Sequence, residues 1–482
     1  MPEGSTMTTT TQERWEREYE RAYSDFVQQH PGYDAGGRLD AQRSRDFGRL
    51  ARSGDVYLDY TGGGLYPESL VQAHAALLAS HVFGNPHSAN PSSAAMTTRV
   101  ESVRRAILAH FRADPADYLV IFTANASGAL KLVAESYPFA PGSTCLLSYD
   151  NHNSVNGIRE YARAGGSRVR YAPVRPPDMR LDDAALAHLL ATPEQTAPRL
   201  FAYPAQSNFS GVLHSLAWVA RAQDEGWHVL LDSAAFAPTH ALDLSAVRPD
   251  FVSLSFYKMF GYPTGVGALL ARRSALATLR RPWFAGGTIS YASVIEPRHD
   301  LHTGAEAFED GTLNYLALPA VKAGLKRLGG GHLEAIHARV MSLTAWTLER
   351  FGALRHPNGR PLVTVYGPTD TDGRAGLIAF NLLGDTGHLI DHLEVEKRAS
   401  ARQISLRTGC FCNPGVGEVA LDITHDDLAR CFASAERMTI DTFRSCLVDK
   451  GSGAVRVSFG EASTFTDAHA LLELVQSFRA GR

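Results

Sequence analysis

The chain has 482 residues, 44 % hydrophobic and 20 % charged, which excludes a disordered polymer and leaves room for a large two-domain enzyme. Its 47 Lys and Arg against 50 Asp and Glu give a net charge of −3, which excludes the basic excess that non-specific nucleic-acid binding needs. Five cysteines are too few for a disulfide scaffold and point to a reducing, cytoplasmic setting, and no run reaches the ~18 apolar residues of a membrane helix.

Residues 1–12 lack the apolar core of a secretory signal and read as a loose tail; residues 13–52 are charged and partly helical. VYLDY (56–60) reads as the first strand of the body. The TGGGLYP that follows continues neither strand nor helix and predicts a tight loop closely approached by other groups. A helix is predicted over 67–82 and another over 97–111. From there the pattern alternates. Strands are predicted at YLVIFT (118–123), STCLLSY (143–149), SRVRYAPV (167–174), RLFAYPA (199–205), HVLLDSA (228–234), FVSLSF (251–256) and VGALLAR (266–272). Helical segments lie between them at 127–137, 154–166, 181–192 and 215–226. This alternation predicts an α/β fold with a mostly parallel sheet covered on both faces. A Gly cluster within 325–334 marks a boundary, and the remainder reads as a smaller α+β unit. The predicted division is an N-terminal extension over 1–55, a large domain over 56–330 and a small domain over 331–482.

In such a sheet the active site lies at the carboxyl ends of the strands, so the residues just after each strand carry the functional signal. They are Asp59, the turn 123–128, His152, Asn208, Asp232 and the run from Ser255 to Lys258. The small-residue turn before SGALKL suits a phosphate at a helix N-terminus, or is an ordinary helix start capped by Ser127. Asp232, at the end of an apolar strand, needs a cation or donor; it caps a helix, joins an ion pair, or faces the protonated ring nitrogen of a pyridoxal cofactor. Lys258 in apolar, Gly-rich surroundings is either a Schiff-base nucleophile of depressed pKa or a snorkelling surface lysine. His152 is a ring-stacking proton carrier or a solvated loop residue. Arg456 in AVRVSFG binds a carboxylate or forms a surface ion pair.

Cys410 and Cys412 in LRTGCFCNPG have the wrong spacing for zinc, so no metal is expected. A loop thiol working as a nucleophile, with Arg407 holding the thiolate, fits better. Cys145, Cys431 and Cys446 read as buried or incidental thiols.

Several longer stretches carry a resemblance: NHNSVNGIREYA, QSNFSG, SFYKMFGYPTGVGALL, FEDGTLNYLAL and LRTGCFCNPG, in that order along nearly the whole chain. The chain resembles the class V, fold-type I pyridoxal-phosphate enzymes of the cysteine desulfurase type, most of all the N-terminal domain of molybdenum cofactor sulfurases. The resemblance implies a seven-stranded-type sheet and a homodimer. It implies that Lys258 bonds the cofactor, with Tyr257 beside it, that Asp232 pairs with the pyridine nitrogen, and that His152 stacks on the ring. Ala126, Ser127 and Ser255 would hold the phosphate, Asn208 would sit near the ring oxygen and substrate, and Arg456 would bind the substrate carboxylate. Thr288 (with Gly287) or Thr312 would reach the neighbouring subunit's phosphate. Cys412 would take sulfur from L-cysteine as a persulfide, releasing alanine, with Cys410 as its near neighbour.

The sequence departs from the family at DYTGGG, at Asn125 where glycine is usual, and after CFCNPG, where a further cysteine is missing. No C-terminal molybdenum-cofactor domain follows, so the expected sulfur acceptor is a separate protein or another small molecule. The competing expectations are a C–S lyase or aminotransferase with an idle cysteine loop, and a catalytically silent sulfur carrier.

Overall fold

Apolar runs bounded by turns make buried strands, and seven of them form the central sheet of the computed structural model, which describes residues 9–33, 37–191, 197–433, 436–447 and 450–480. They are β1 (Tyr118–Thr123), β2 (Thr144–Ser148), β3 (Arg168–Ala172), β4 (Arg199–Pro204), β5 (His228–Asp232), β6 (Phe251–Ser255) and β7 (Gly267–Arg272). Their spatial order is β1-β7-β6-β5-β4-β2-β3. The pairs from β6 through β3 are parallel, and β7 runs antiparallel to both β6 and β1. Side chains alternate between two cores. In β2, Leu146 packs into one, and Cys145 and Leu147 into the other. Both faces are therefore dry, as the continuous apolar strands require.

A second, antiparallel sheet has the order β8-β9-β11-β10, from β8 (Val363–Tyr366), β9 (Leu377–Leu382), β10 (Arg407–Gly409) and β11 (Ala454–Ser458). The expected first strand at 56–60 shortens to Val56–Tyr57 and belongs to neither sheet. It pairs with Ile404–Ser405, and Asp59 then bridges Ser458 on β11, so the polar ladder of this segment is completed by distant chain.

Three other expectations change. The helix expected from residue 97 starts at Pro91, because the Asn90 side chain caps it through Ser93 N at 3.0 Å. The helix expected over 154–166 divides at Gly157 into Asn153–Asn156 and Ile158–Ala164. Cys431 and Cys446, read as thiols, form a disulfide with Cα atoms 5.7 Å apart. A 15-residue separation placed on two short helices hides this pairing from the sequence, since connectivity follows three-dimensional proximity. The tail expected over 1–12 falls in part on residues 1–8, outside the described residues; from Thr9 the chain is helical. Among the described residues no helix is long and apolar enough to cross a membrane.

β1 is an edge strand, and its free edge is closed by one charged pair. Arg104 makes a two-pronged contact with Glu309 at 2.7 Å for each prong, and Glu309 accepts the Phe122 N–H at 2.7 Å. Both side chains are buried. Removing Glu309 leaves a buried guanidinium and an unpaired strand N–H. Glu309→Ala should lose about 3–5 kcal/mol in urea unfolding; a loss below about 1 kcal/mol would show that the pair does not secure the edge.

Candidate active site

The carboxyl ends of five strands surround one cavity of about 300 Å³. Asp232 is the last residue of β5, and β6 ends at Ser255, directly before the short helix Phe256–Phe260 that carries Lys258. β1 leads through Ala124 and Asn125 into the helix Ala126–Ser136. β2 leads to His152, and β4 to Gln206 and Asn208. Of the predicted site residues, Ala126, Ser127, His152, Asn208, Asp232, Ser255, Tyr257 and Lys258 all line this space.

Each charge in the cavity has a physical reason to stay there. Asp232 is buried, and its Oδ1 accepts from Ser253 Oγ at 2.6 Å and from the Ala234 N–H at 3.1 Å. Burial pulls the Lys258 ammonium below its ordinary value; Asp232 opposes this, and Arg456 adds to it. Lys258 is half-buried and lines the cavity, which removes the surface-lysine alternative. The helix Ala126–Ser136 presents its N-terminal N–H groups to the cavity wall. Its cap is Asn125, whose side chain accepts the Gly128 N–H at 2.8 Å, and not Ser127 as expected. Ser127 stays free of the cap and faces the cavity. Gly267 makes this turn possible: a Cβ there would lie 2.4 Å from the Asn125 backbone. Gly64 of the triple-glycine loop is under the same restriction, with Lys258 O 2.8 Å from where its Cβ would be.

Hydrogen bonding settles the form of His152. Its Nδ1 accepts the Ser154 N–H at 3.1 Å, and a backbone N–H can only donate, so the proton of the neutral ring is on Nε2. Burial lowers the His152 pKa first, then the Lys258 charge, with Asp232 opposing and Arg456 adding. Ser154 Oγ lies 3.0 Å from His152 Nδ1 and 2.6 Å from Ser127 Oγ, which ties the ring to the anion turn.

Arg456 is outside the cavity lining but adjoins it. It is buried on β11, with one Nη donating to the Asn208 carbonyl at 2.8 Å and the other to Asp59 Oδ1 at 3.1 Å. Burial moves its pKa down, against the pull of Asp59. Arg407 donates to Asp59 Oδ2 at 2.9 and 2.6 Å, so its hydrogen bonds go to Asp59 and not to Cys412. The charges of Arg407 and Arg456 nevertheless both reach Cys412. Cys410 and Cys412 are exposed, and burial of part of its surroundings raises the Cys410 thiol. Cys145, in the core, is pushed up to about 12 by burial.

The single chain does not bring Thr288 or Thr312 into the cavity. Thr288 is buried, its hydroxyl held by Ala285 at 2.8 Å, and Thr312 lines a neighbouring hollow. Sequence reasoning missed Gln206, Ser154 and Ser253. Gln206 follows β4 directly and was open to the same strand-end rule; its buried Oε1 has no partner while the residue lines the cavity. Ser253 and Ser154 carry no signal short of their hydrogen bonds.

An anion turn at a helix N-terminus, a carboxylate and a suppressed lysine in one cavity, and an orphaned amide on its wall together form a donor set for a phosphorylated, ring-bearing aldehyde. The aminotransferase class V family model matches residues 56–471. The chain belongs to the class V aminotransferase family. The cofactor of that family is pyridoxal phosphate, and the residues present fit it. Among class V relatives, the chain is 41 % identical over 470 residues to the molybdenum cofactor sulfurase of Bos taurus, covering 92 % of this chain and 52 % of the relative. It is 36 % identical over 481 residues to that of Arabidopsis thaliana, covering 90 % and 57 %. The chain thus spans about half the length of the curated relatives it matches. The fold is that of the apo cysteine desulfurase from Thermococcus onnurineus NA1, with a TM-score of 0.75, 23 % identity and coverage of 92 % and 98 %.

The environment of His152 fixes a direction in pH. With its folded value below the ordinary 6.5, His152 stays neutral at pH 7 and protonates only under more acidic conditions than in the unfolded chain. The unfolded state therefore binds the proton first as pH falls, and stability declines on the acid side of about 6.5. An NMR titration of the His152 ring should show a midpoint below 6.5; a midpoint above it would refute the dominance of burial over the Asp232 charge at this ring.

Proposed function

We propose that this chain is a pyridoxal-phosphate sulfurtransferase that removes sulfur from L-cysteine, holds it as a persulfide on Cys412 and passes it to an acceptor. One observation carries the reading. The loop bearing the exposed Cys412 is bonded to Asn208, a residue of the cavity wall, through Asn208 Nδ2 and the Phe411 carbonyl at 2.7 Å. That bond ties the cysteine loop to the cavity wall, which supports a role for its thiol beside a bound amino acid.

Ala126, Ser127 and Ser255 would hold the phosphate, Asp232 the ring nitrogen, His152 and Tyr257 the faces of the ring, and Lys258 the aldehyde carbon. Bound there, pyridoxal phosphate supplies an electron sink for negative charge developing on the substrate. Arg456, preset by Asp59 and the Asn208 carbonyl, orients the substrate carboxylate. Lys258, neutral more readily than an exposed lysine, accepts the α-proton. The Cys412 thiolate attacks the substrate sulfur. An S–S bond forms as the substrate C–S bond breaks, the electron pair remains on Cβ, a proton replacing the one lost by the Cys412 thiol completes the methyl group, and Lys258 returns the α-proton to Cα to complete alanine. The persulfide sulfur then passes to an acceptor.

A homodimer is part of the proposal; the Cys431–Cys446 disulfide removes the cysteine argument for a reducing compartment. The hairpin formed by Ile289–Ser293 and Arg298–Leu301 exposes Tyr291, Val294 and Ile295, with Trp283 and Phe284 nearby. A partner subunit covering that apolar surface would give Thr288 and Thr312 a neighbouring phosphate to serve.

Wild type and Cys412→Ala should be compared with L-cysteine as substrate, recording alanine and protein-bound persulfide. Wild type should make both, and the variant should lose the persulfide and most of the alanine. Unchanged alanine from the variant would transfer the reading to a C–S lyase with an idle loop, and no alanine from wild type would remove cysteine as substrate. Arg456→Lys should raise the KM for cysteine by roughly 10–100-fold, the equivalent of one charge-assisted carboxylate contact. An unchanged KM would place the carboxylate elsewhere.

A further inference from the structure

Asp150 is fully buried between β2 and His152, and nothing in the chemistry above uses it. A carboxylate without access to water must be met by donors. Three converge on it. Oδ1 accepts from Ser207 Oγ at 2.8 Å and from Asn413 Nδ2 at 2.7 Å, and Oδ2 lies 2.7 Å from His214 Nε2. His214 is itself buried and comes from the chain after β4, 64 residues further on.

The third donor leads to the cysteine loop. Asn413 directly follows Cys412 and has no exposed surface. Its Nδ2 also reaches Asn208 Oδ1 at 3.0 Å, and its N–H donates to the Cys410 carbonyl at 2.9 Å. On the other side of the loop, the Asn153 N–H donates to the Cys412 carbonyl at 2.6 Å. Between these anchors Phe411 and Cys412 have φ of +54° and +56°, two consecutive non-glycine residues in the left-handed region. Such a conformation is disfavoured and persists only where its surroundings hold it. The Phe411 ring, 5.1 Å from Phe209 and under the Arg456 guanidinium at 4.8 Å, provides some of that hold. The polar part originates at Asp150.

We propose that Asp150 and His214 are positioning residues that form a buried latch, acting through Asn413, which keeps Cys412 docked over the substrate side of the cavity. The chemical consequence rests on the sulfur-transfer reading; the docking itself does not. Loosening the latch would relieve the two left-handed residues and let the loop leave. The latch therefore acts mainly on attack at sulfur: the carboxylate contact is on Arg456, whose bond to Asp59 lies outside the latch, while its second bond, to the Asn208 carbonyl, goes to a residue the latch also holds.

Asn413→Ala is the first variant, since Asp150 keeps Ser207 and His214 and the core keeps its charge pairing. His214→Gln retains a donor toward Asp150 and His214→Leu removes it. Two measurements on the holoenzyme separate the docking from the chemistry. In hydrogen exchange, Asn413→Ala and His214→Leu should release the Asn153 amide and that of residue 413 by tenfold or more, with β4 and β5 unchanged, and His214→Gln should restore much of the protection; the Val416 amide, which the Asn413 side chain caps directly, is read in the His214 variants alone. In turnover, alanine formation should fall at least tenfold in kcat for the released variants while the KM for cysteine stays within about twofold. Unchanged exchange in both released variants overturns the latch whatever the activity. A fall in protection throughout the sheet, or a KM change matching that of kcat, would reduce Asp150 and His214 to structural residues and also overturns it. Release of the loop amides in a protein whose wild type makes no alanine leaves the docking in place and refutes only the sulfur-transfer reading.

Discussion

Burying Asp232, Lys258 and Arg456 around one small space is the constraint to which the surrounding structure answers. Isolated charges in such a place would neutralise or draw in water. Asp232 is held by Ser253 and the Ala234 N–H, and Arg456 by Asp59 and a backbone carbonyl. Lys258 has the least support, and its ammonium form is correspondingly disfavoured. That inequality has chemical value, because a lysine that loses its proton easily is a nucleophile and a base where an ordinary lysine is neither.

The supporting groups come from three separate parts of the chain. Asp59 belongs to the segment before the main sheet, Asn208 follows β4, and Arg456 and Arg407 belong to the second sheet. Their mutual bonds hold the two sheets together at the place where the cavity opens. The rigid elements carry the groups that must not move, and the Cys410–Asn413 loop, held in a conformation it would not choose alone, carries the thiol that must reach two different partners. The Asp150 network connects these two kinds of element.

The central sheet was legible because each of its strands is an apolar run bounded by turn residues, and β1 was predicted to the residue. The strand-end rule then pointed to Asp232, Lys258, His152 and Asn208, which converge as expected. VYLDY failed as a body strand because its alternation says nothing about which ladder it will join. Asn125 and not Ser127 caps the helix because its side chain accepts the Gly128 N–H, and the backbone direction that brings those two atoms together is set by the fold. The Cys431–Cys446 pair was missed for a similar reason: composition counts cysteines and does not place them.

The sequence by itself determined the α/β class, the family and the chemical types at the strand ends, since apolar periodicity and uncommon residues after buried strands are local properties. Tertiary structure alone decided that Arg456 is held by Asp59, that Arg407 gives its hydrogen bonds to Asp59 and not to the thiol, that Gln206 is an orphaned amide on the cavity wall, and that Asp150 reaches the cysteine loop through Asn413. Those facts depend on atoms hundreds of residues apart meeting within 3 Å, and the free energy of such a contact comes from excluding water at a point that only the folded chain creates.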